Sequence, residues 1–531
     1  VPAARGVASS TTRPVAIRRH RGGTQETGCE GGMSGIDWQH YWPHFVFATS
    51  IIVGVAAALH AAMTKDDVRA AVGWVGIIVF SPIFGAFLYL VAGINRIRRT
   101  QVSQRRHDAE LRHGPAPGAS AAAVTVPAAS GTAVTAAPAA AAKVPEALES
   151  LHRLGDRVAA FPLTAGNQVT MLDSGDETYP AMLEAVAGAT RSIALQSYIF
   201  DDDDAGRELA DALIAAHRRG VEVRVLIDAV GARYSRPPIT RRLAAGGVTT
   251  ALFMGNLIGF RLPYANLRSH RKVLVVDATI GFTGGMNVRA EFMSGPGGPA
   301  KSRDTHFRVE GPIVAQLATL VSQDWFFTTR ERLAGPAWDV GGHDRPQPGG
   351  VAARAVPSGP DRNLASNHSL IMGALSVARE RVHIASPYFI PDQQLVGALT
   401  VAARRGLEVD IVIPSANNLP LVDHAMTAQL DQVVSAGCRV WRASGPFDHS
   451  KLLAVDGAWA YVGSSNLDPR SLRLNFELDI EVYDPVLACA VEARIARQIA
   501  NARAETMETL KARSFPVRVR NRAVWLASPY L

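Results

Sequence analysis

One pattern, H-x-K-x4-D-x6-G-[GS]-x-N, is written twice in this chain. The first copy comprises His270, Lys272, Asp277, Gly284, Gly285 and Asn287, and the second His449, Lys451, Asp456, Gly463, Ser464 and Asn466. A single H-x-K arises by chance in most proteins of this size. Two full copies in corresponding places mark an internal duplication, which constrains the fold more than any composition can. The flanking chain repeats as well, at a spacing of roughly 185 residues. MLEAVAGATRSIALQSYIF (182–200) resembles IMGALSVARERVHIASPYFI (371–390), HRRGVEVRVLID (217–228) resembles ARRGLEVDIVIP (403–414), and HRKVLVVD (270–277) resembles HSKLLAVD (449–456). Each half reads as helix, apolar strand, amphipathic helix, Arg-Arg-Gly turn, then a Val/Ile/Leu-rich strand. That alternation predicts an α/β fold in which each half is a mixed sheet flanked by helices. The halves are placed at 146–345 and 346–531, with the Gly/Pro-rich GGHDRPQPGG (341–350) at the seam.

On a strand, residues i and i+2 share a face, so His270 projects with Lys272 and His449 with Lys451. Duplicated halves that face each other bring both pairs into one pocket, and Asn287 and Asn466 arrive from the strand after a turn at Asp277-Ala278 or Asp456-Gly457. Such a set suits a phosphodiester. Two Lys and two Asn can hold the non-bridging oxygens, one neutral imidazole can attack phosphorus, and the other can protonate the departing alcohol. The motif Asp residues, Asp277 and Asp456, belong to the candidate catalytic set by motif. Their odd offset from each His points them to the opposite side, where a turn-fixing role is expected. No metal and no cofactor are expected. The three cysteines, Cys29, Cys438 and Cys489, form no CxxC pair and sit in no His cluster, which argues against a zinc site or a disulfide framework.

Two apolar stretches without formal charge, Phe45–Met63 and Ala70–Ile94, span roughly 28 and 37 Å as helices, enough to cross a hydrocarbon core of about 30 Å. Trp38, Trp42 and Trp74 sit near their ends, as interfacial anchors do. The expectation is a transmembrane helical hairpin over 45–94 (spans 45–63 and 70–94), with both outer ends on one side. Arg96, Arg98, Arg99, Arg105, Arg106 and Arg112 follow it, so the positive-inside rule puts the C-terminal body in the cytoplasm. Residues 1–44 form a polar leader in which Met33 is the expected biological start. Residues 95–145 are a basic juxtamembrane segment followed by an Ala/Pro-rich tether, GPAPGASAAAVTVPAASGTAVTAAPAAAAKVP (114–145). The formal charge is +8. Windows 1–32, 95–113 and 511–531 carry more than that whole excess, leaving the rest net acidic, which argues against a phosphate-backbone groove for nucleic acid.

These motifs resemble the phospholipase D superfamily, whose signature is the duplicated HKD pattern, over nearly all of residues 160–531. RDTHFRVEGP (303–312), SPYFIPD (386–392), GSSNLDPRSLRLNFELDIEVYD (463–484), the terminal SPYL and the SPIFGAFLYLVAGINR stretch (81–96) are similar to its bacterial cardiolipin synthase branch. The resemblance implies two phospholipase D-like halves behind the membrane hairpin. It also implies supporting carboxylates at Asp304 and Glu477, though not which of them orients which histidine, with Ser464 an extra hydroxyl donor where the first motif has Gly285. The implied activity is transfer of a phosphatidyl group through a phosphohistidine on His270, from one phosphatidylglycerol to another, giving cardiolipin and glycerol at a bacterial inner membrane. Partners would be anionic phospholipids and the membrane, with no nucleic acid. The competing readings are a hydrolytic phospholipase D, a transferase using phosphatidylethanolamine and, more remotely, a nucleic-acid phosphodiesterase.

Overall fold

VLVV (Val273–Val276) has no polar residue, and SIALQS (Ser192–Ser197) is buried along its whole length despite Ser192, Gln196 and Ser197. Strands of this kind form only where a sheet is covered on both sides. The computed structural model describes residues 38–65, 67–93, 144–255, 267–295, 300–341 and 350–528. It divides into two compact units, Val1–Arg96 and Ile97–Leu531. Met33, the Arg cluster at 96–112 and the Ala/Pro tether lie outside the described residues.

In the larger unit, sixteen strands among the described residues join one sheet. The first half contributes, in spatial order, Thr164–Leu172, His306–Glu310, Ile280–Gly284, Val273–Val276, Ser192–Ser197, Glu222–Asp228 and Thr249–Phe253. The second repeats that order with Val351–Ser358, Asn475–Tyr483, Trp459–Gly463, Leu452–Val455, Arg381–Ala385, Glu408–Pro414 and Arg439–Ala443, then adds the edge strand Ala502–Glu505. Within each half three neighbouring strands of this order run parallel and the others antiparallel, so each half's part of the sheet is mixed as expected, and the sixteenth strand, Arg268–Ser269, joins off this order by pairing parallel with Asn475–Phe476. The halves are sewn together where Thr164–Leu172 pairs antiparallel with Val351–Ser358.

One face of the sheet is covered by the helices Ile313–Thr329 and Pro485–Ile499 over a core drawn from both halves, including Val275, Phe307, Leu317, Ala454, Ile480 and Val491. The other face carries a separate core for each half. Leu148 and Leu151, at the start of the stretch assigned to the first half, pack into the core of the second. Arg354 donates from there to Asp156 at 2.8 Å.

The hairpins after the motif strands turn where expected. Asp277 and Ala278 have φ of 52° and 53°, and Asp456 and Gly457 have 52° and 60°. Two successive positive φ values are what a two-residue hairpin needs to follow the strand twist. Asp277 accepts from the backbone N–H groups of Thr190, Arg191 and Ser192 at 2.8, 2.8 and 2.9 Å, and Asp456 from those of Arg379, Glu380 and Arg381 at 2.8, 2.9 and 2.9 Å. Each therefore ties its turn to the start of the adjacent parallel strand.

The smaller unit departs from expectation. Its first stretch forms one helix, Trp38–Thr64, of which Tyr41–Thr64 is long and apolar enough to cross a membrane. The second stretch, expected as one span over 70–94, is broken. Helix Val68–Phe80 stops at Ser81 (φ −147°, ψ 83°), and Pro82–Leu88 starts a new one that passes into a wider turn at Tyr89–Gly93. Proline lacks the N–H that would continue the ladder and its ring crowds the preceding turn. The two short helices fold back on one another so closely that a Cβ on Gly85 would overlap the backbone of Ile77 and Ile78. Pro82 reaches the level of Gly54, and the chain returns to Lys65, whose ammonium donates to the carbonyl of Gly93.

Candidate active site

His270 and His449 stand just before the hairpin strands, not within them, and the reason is a crossed pairing of the halves. Arg268–Ser269 runs parallel to Asn475–Phe476, and Phe447–Asp448 runs parallel to Ser302–Arg303. His270 N–H donates to Phe476 O at 2.8 Å and His449 N–H to Arg303 O at 2.7 Å. Each motif is thus clamped against a segment of the opposite half, and the next residue of that segment is a carboxylate. Glu477, from the second half, meets His270 Nδ1 at 2.8 Å; Asp304, from the first, meets His449 Nδ1 at 2.8 Å. An ionised carboxylate only accepts, so both imidazoles hold their proton on Nδ1 and present Nε2 as a lone pair. The two rings lie 6.4 Å apart at 79°. The question of which carboxylate orients which histidine, open in the sequence, is answered by this crossing.

Lys272 and Lys451 are buried beside the rings, each donating to the carbonyl of its own motif histidine. Burial pulls the Lys272 ammonium down to about 7, with Glu477 resisting the fall and Lys451 adding to it. Burial likewise pulls Lys451 down to about 8 against the pull of Asp304. Burial and the two lysines also push both histidines below their ordinary value, His449 furthest. Two buried ammonium groups so placed disfavour their own charge, a cost that a neighbouring anion would offset. Asn287 and Asn466 are both buried. Asn287 accepts from Ile199 N–H at 3.2 Å and Asn466 donates to Ser471 at 3.4 Å. Asp277 and Asp456 are not brought into the pocket; they sit at the far hairpins on backbone amides.

The halves differ under the rings. Ser464 donates to Glu477 at 2.6 Å and Asn475 donates to its other oxygen at 3.0 Å. Burial would raise the Glu477 carboxyl, but His270, Lys272 and Ser464 outweigh it and hold it below its usual range. Asp304 accepts from its neighbour Thr305 N–H at 2.8 Å, and burial lifts it to about 6 despite Lys451. A Cβ on Gly285, the counterpart of Ser464, would overlap the Asp304 carboxylate. Glycine with the shorter Asp and serine with the longer Glu are thus matched pairs.

Sequence reasoning missed the aromatic walls. Tyr198 stands 5.2 Å from the His270 ring with the Lys272 ammonium 5.6 Å from its centre, and Tyr388 and Phe447 stand 6.0 and 5.9 Å from His449. The signal was present, since the repeat aligns QSYIF with SPYFI and so Tyr198 with Tyr388. It also missed Arg271, fully buried, which donates to Asp324 at 2.5 Å and to Glu477 O at 2.9 Å. Among the described residues one group has spacing suited to a metal, His383, Glu408 and Asp410. It lies toward the Asp456 end of the sheet, and Arg439 already pairs with both carboxylates.

A family described as "Cardiolipin synthase, PLD-like domain" matches residues 182–325 and 371–499, one copy on each half, and the "Phospholipase_D-nuclease N-terminal" family matches 52–93. Cardiolipin synthase A of Pseudomonas syringae is 33% identical over 496 residues, covering 90% of this chain and 97% of that protein. The chain belongs to the bacterial cardiolipin synthase family of the phospholipase D superfamily. Cardiolipin synthase A of Pseudomonas fluorescens is similar at 31% identity over 87% of this chain and 94% of its own. The fold matches the crystal structure of phosphatidylserine synthase from Haemophilus influenzae, with a TM-score of 0.53 at 17% identity over 72% of this chain and all of that one. Membership of the cardiolipin synthase family makes the chain a phosphatidyltransferase, and phospholipid substrates and association with membranes go with it.

Proposed function

We propose that the pocket transfers a phosphatidyl group between two phosphatidylglycerol molecules. His270 Nε2 attacks phosphorus; the P–O bond to glycerol breaks, and His449 supplies the proton that lets glycerol leave. The headgroup hydroxyl of the second phosphatidylglycerol then gives its proton to His449 and displaces His270 from phosphorus, yielding cardiolipin. One phosphodiester is exchanged for another, so no energy source is needed. Lys272, Lys451, Asn287 and Asn466 face the non-bridging oxygens. The observation that carries the reading is the crossed pair of His–carboxylate contacts, which engages Nδ1 and frees Nε2 on two rings 6.4 Å apart. His270 is assigned as nucleophile because its partner Glu477 is held ionised by Ser464 and Asn475, whereas Asp304 is not so supported. Asp277 and Asp456 act through the fold, holding the hairpins, and touch no substrate.

Burial and the two lysines hold His449 toward its neutral form, so its service as an acid requires a proton taken up with the anionic lipid, whose charge offsets that of the lysines. Hydrolysis and use of phosphatidylethanolamine are the alternatives that the products distinguish. Purified protein given labelled phosphatidylglycerol in vesicles should release glycerol with cardiolipin; phosphatidic acid as the main product would replace transfer by hydrolysis.

The body is placed on the cytoplasmic side of a bacterial inner membrane by the arginines that follow the apolar unit. Helix Trp38–Thr64 crosses. The broken pair Val68–Phe80 and Pro82–Leu88 enters to about the level of Gly54 and returns to that of Lys65, so the chain after Gly93 leaves from the same side as the loop at Lys65.

A further inference from the structure

The mouth of the pocket is bordered by two loops that occupy equivalent places in the two halves, each following the central parallel strand of its half. After Glu222–Asp228 comes the loop 229–238. Asp228 holds it by accepting from Val230 and Gly231 N–H at 2.9 and 3.3 Å, while its other oxygen accepts from Ser269 N–H at 2.9 Å, next to His270. After Glu408–Pro414 comes the segment 415–421, a loop that runs into the first turn of the helix Pro420–Val434. Asn417 donates to Pro387 O at 3.0 Å and accepts from Leu419 N–H at 2.9 Å, and Tyr388 OH donates to Asn418 at 2.8 Å. Both loops are therefore pinned to the residues that wall the histidines. Tyr234 extends the aromatic wall: it lies 6.4 Å from Tyr198, which itself stands against the His270 ring.

What these pinned loops show to solvent is unusual in kind. The second presents Leu419, Pro420 and Leu421, with Leu419 48% and Leu421 57% exposed. The first presents Tyr234, 60% exposed, between exposed Arg233 and Arg236. Among the described residues neither arginine meets a carboxylate within ion-pair distance. Rigid aliphatic tips beside an amphipathic aromatic and unpaired cations match the layering of an anionic bilayer, with acyl chains, then the glycerol and carbonyl zone, then phosphates. We propose that these two loops form an interfacial seat that presses the mouth of the pocket onto an anionic phospholipid surface. Leu419 and Leu421 enter the acyl boundary, Tyr234 lies at the headgroup level, and Arg233 and Arg236 meet lipid phosphates. A diacyl substrate then reaches the histidines by rising out of the leaflet without crossing water. The proposal rests on the lipid-substrate reading above, and extends it from the chemistry to the way substrate is delivered.

The test uses the full chain reconstituted in vesicles containing phosphatidylglycerol, with Cys29 and Cys489 replaced by Ser and single cysteines, Leu419→Cys or Leu421→Cys, carrying an environment-sensitive fluorophore. Val486→Cys is the control. Val486 is 79% exposed and follows Tyr483, which pairs with Trp459 at the end of the sheet away from Ser464. Lipids brominated along the acyl chain should quench the label at 419 and 421 but not at 486. Arg233→Glu with Arg236→Glu should abolish most of that quenching. Quenching at 419 and 421 no greater than at 486 would overturn the proposal, as would quenching indifferent to the charge reversal. The readout needs no turnover, so cardiolipin formation by the unmodified chain in the same vesicles judges the activity separately.

Discussion

Lys272 and Lys451 share a buried pocket with two neutral histidines, and their depressed ammonium values set how the enzyme meets its anionic substrate. Only the protonated lysines attract phosphate. Their values are near 7 and 8, so protons are lost as pH rises through that range, and kcat/KM should fall above about pH 7. Bound phosphate favours the charged form, so the matching fall in kcat should lie at higher pH. A kcat/KM that holds level well beyond that range would show that the lysines are not the anion site. The matched pairs under the rings make a second prediction. Gly285→Ser pushes the Asp304 carboxylate off His449 and should cost about a hundredfold in kcat/KM, the usual penalty for a displacement near 1 Å. Adding Asp304→Glu restores the Ser–Glu combination of the other half and should recover part of the loss. A double variant no better than the single one would deny that the pairs are matched.

At the scale of elements, the repeat made the helices, the strands and both positive-φ turns legible, because each rests on local signals: apolar runs, Arg-Arg-Gly turns and Asp-Ala or Asp-Gly corners. The crossing of the carboxylates was not legible. It depends on two pairs of two-residue strands, Arg268–Ser269 with Asn475–Phe476 and Ser302–Arg303 with Phe447–Asp448, too short to leave a periodic signature. The placement of the motif histidines before their strands follows from the same pairing. In the membrane unit an apolar run was read as one helix, and the break at Ser81-Pro82 shows that composition measured its length but not its continuity. Topology follows from that break. Cysteines placed at positions 67 and 120 should both be labelled from the cytoplasmic side, whereas two full spans would leave position 67 reachable only from outside.

The whole molecule is a duplication that has become inseparable. One sheet runs through both halves, one layer of helices covers both, and each half lends the other the carboxylate that orients its histidine. The site therefore exists only in the joined fold. That explains why the sequence could assemble the list of site residues yet had no physical reason to tell the histidines apart: the repeat is symmetric, and the asymmetry lies in what surrounds Glu477 and Asp304. In the proposed mechanism, Ser464 and Asn475 on one side and Gly285 on the other are the grounds for taking His270 as the nucleophile. The direct test is rapid acid quench of the enzyme during turnover on phosphatidylglycerol, followed by mass spectrometry of its peptides. The phosphatidyl adduct should be found on the peptide containing His270. An adduct on the peptide containing His449, or cardiolipin formed with no adduct on either, would contradict it.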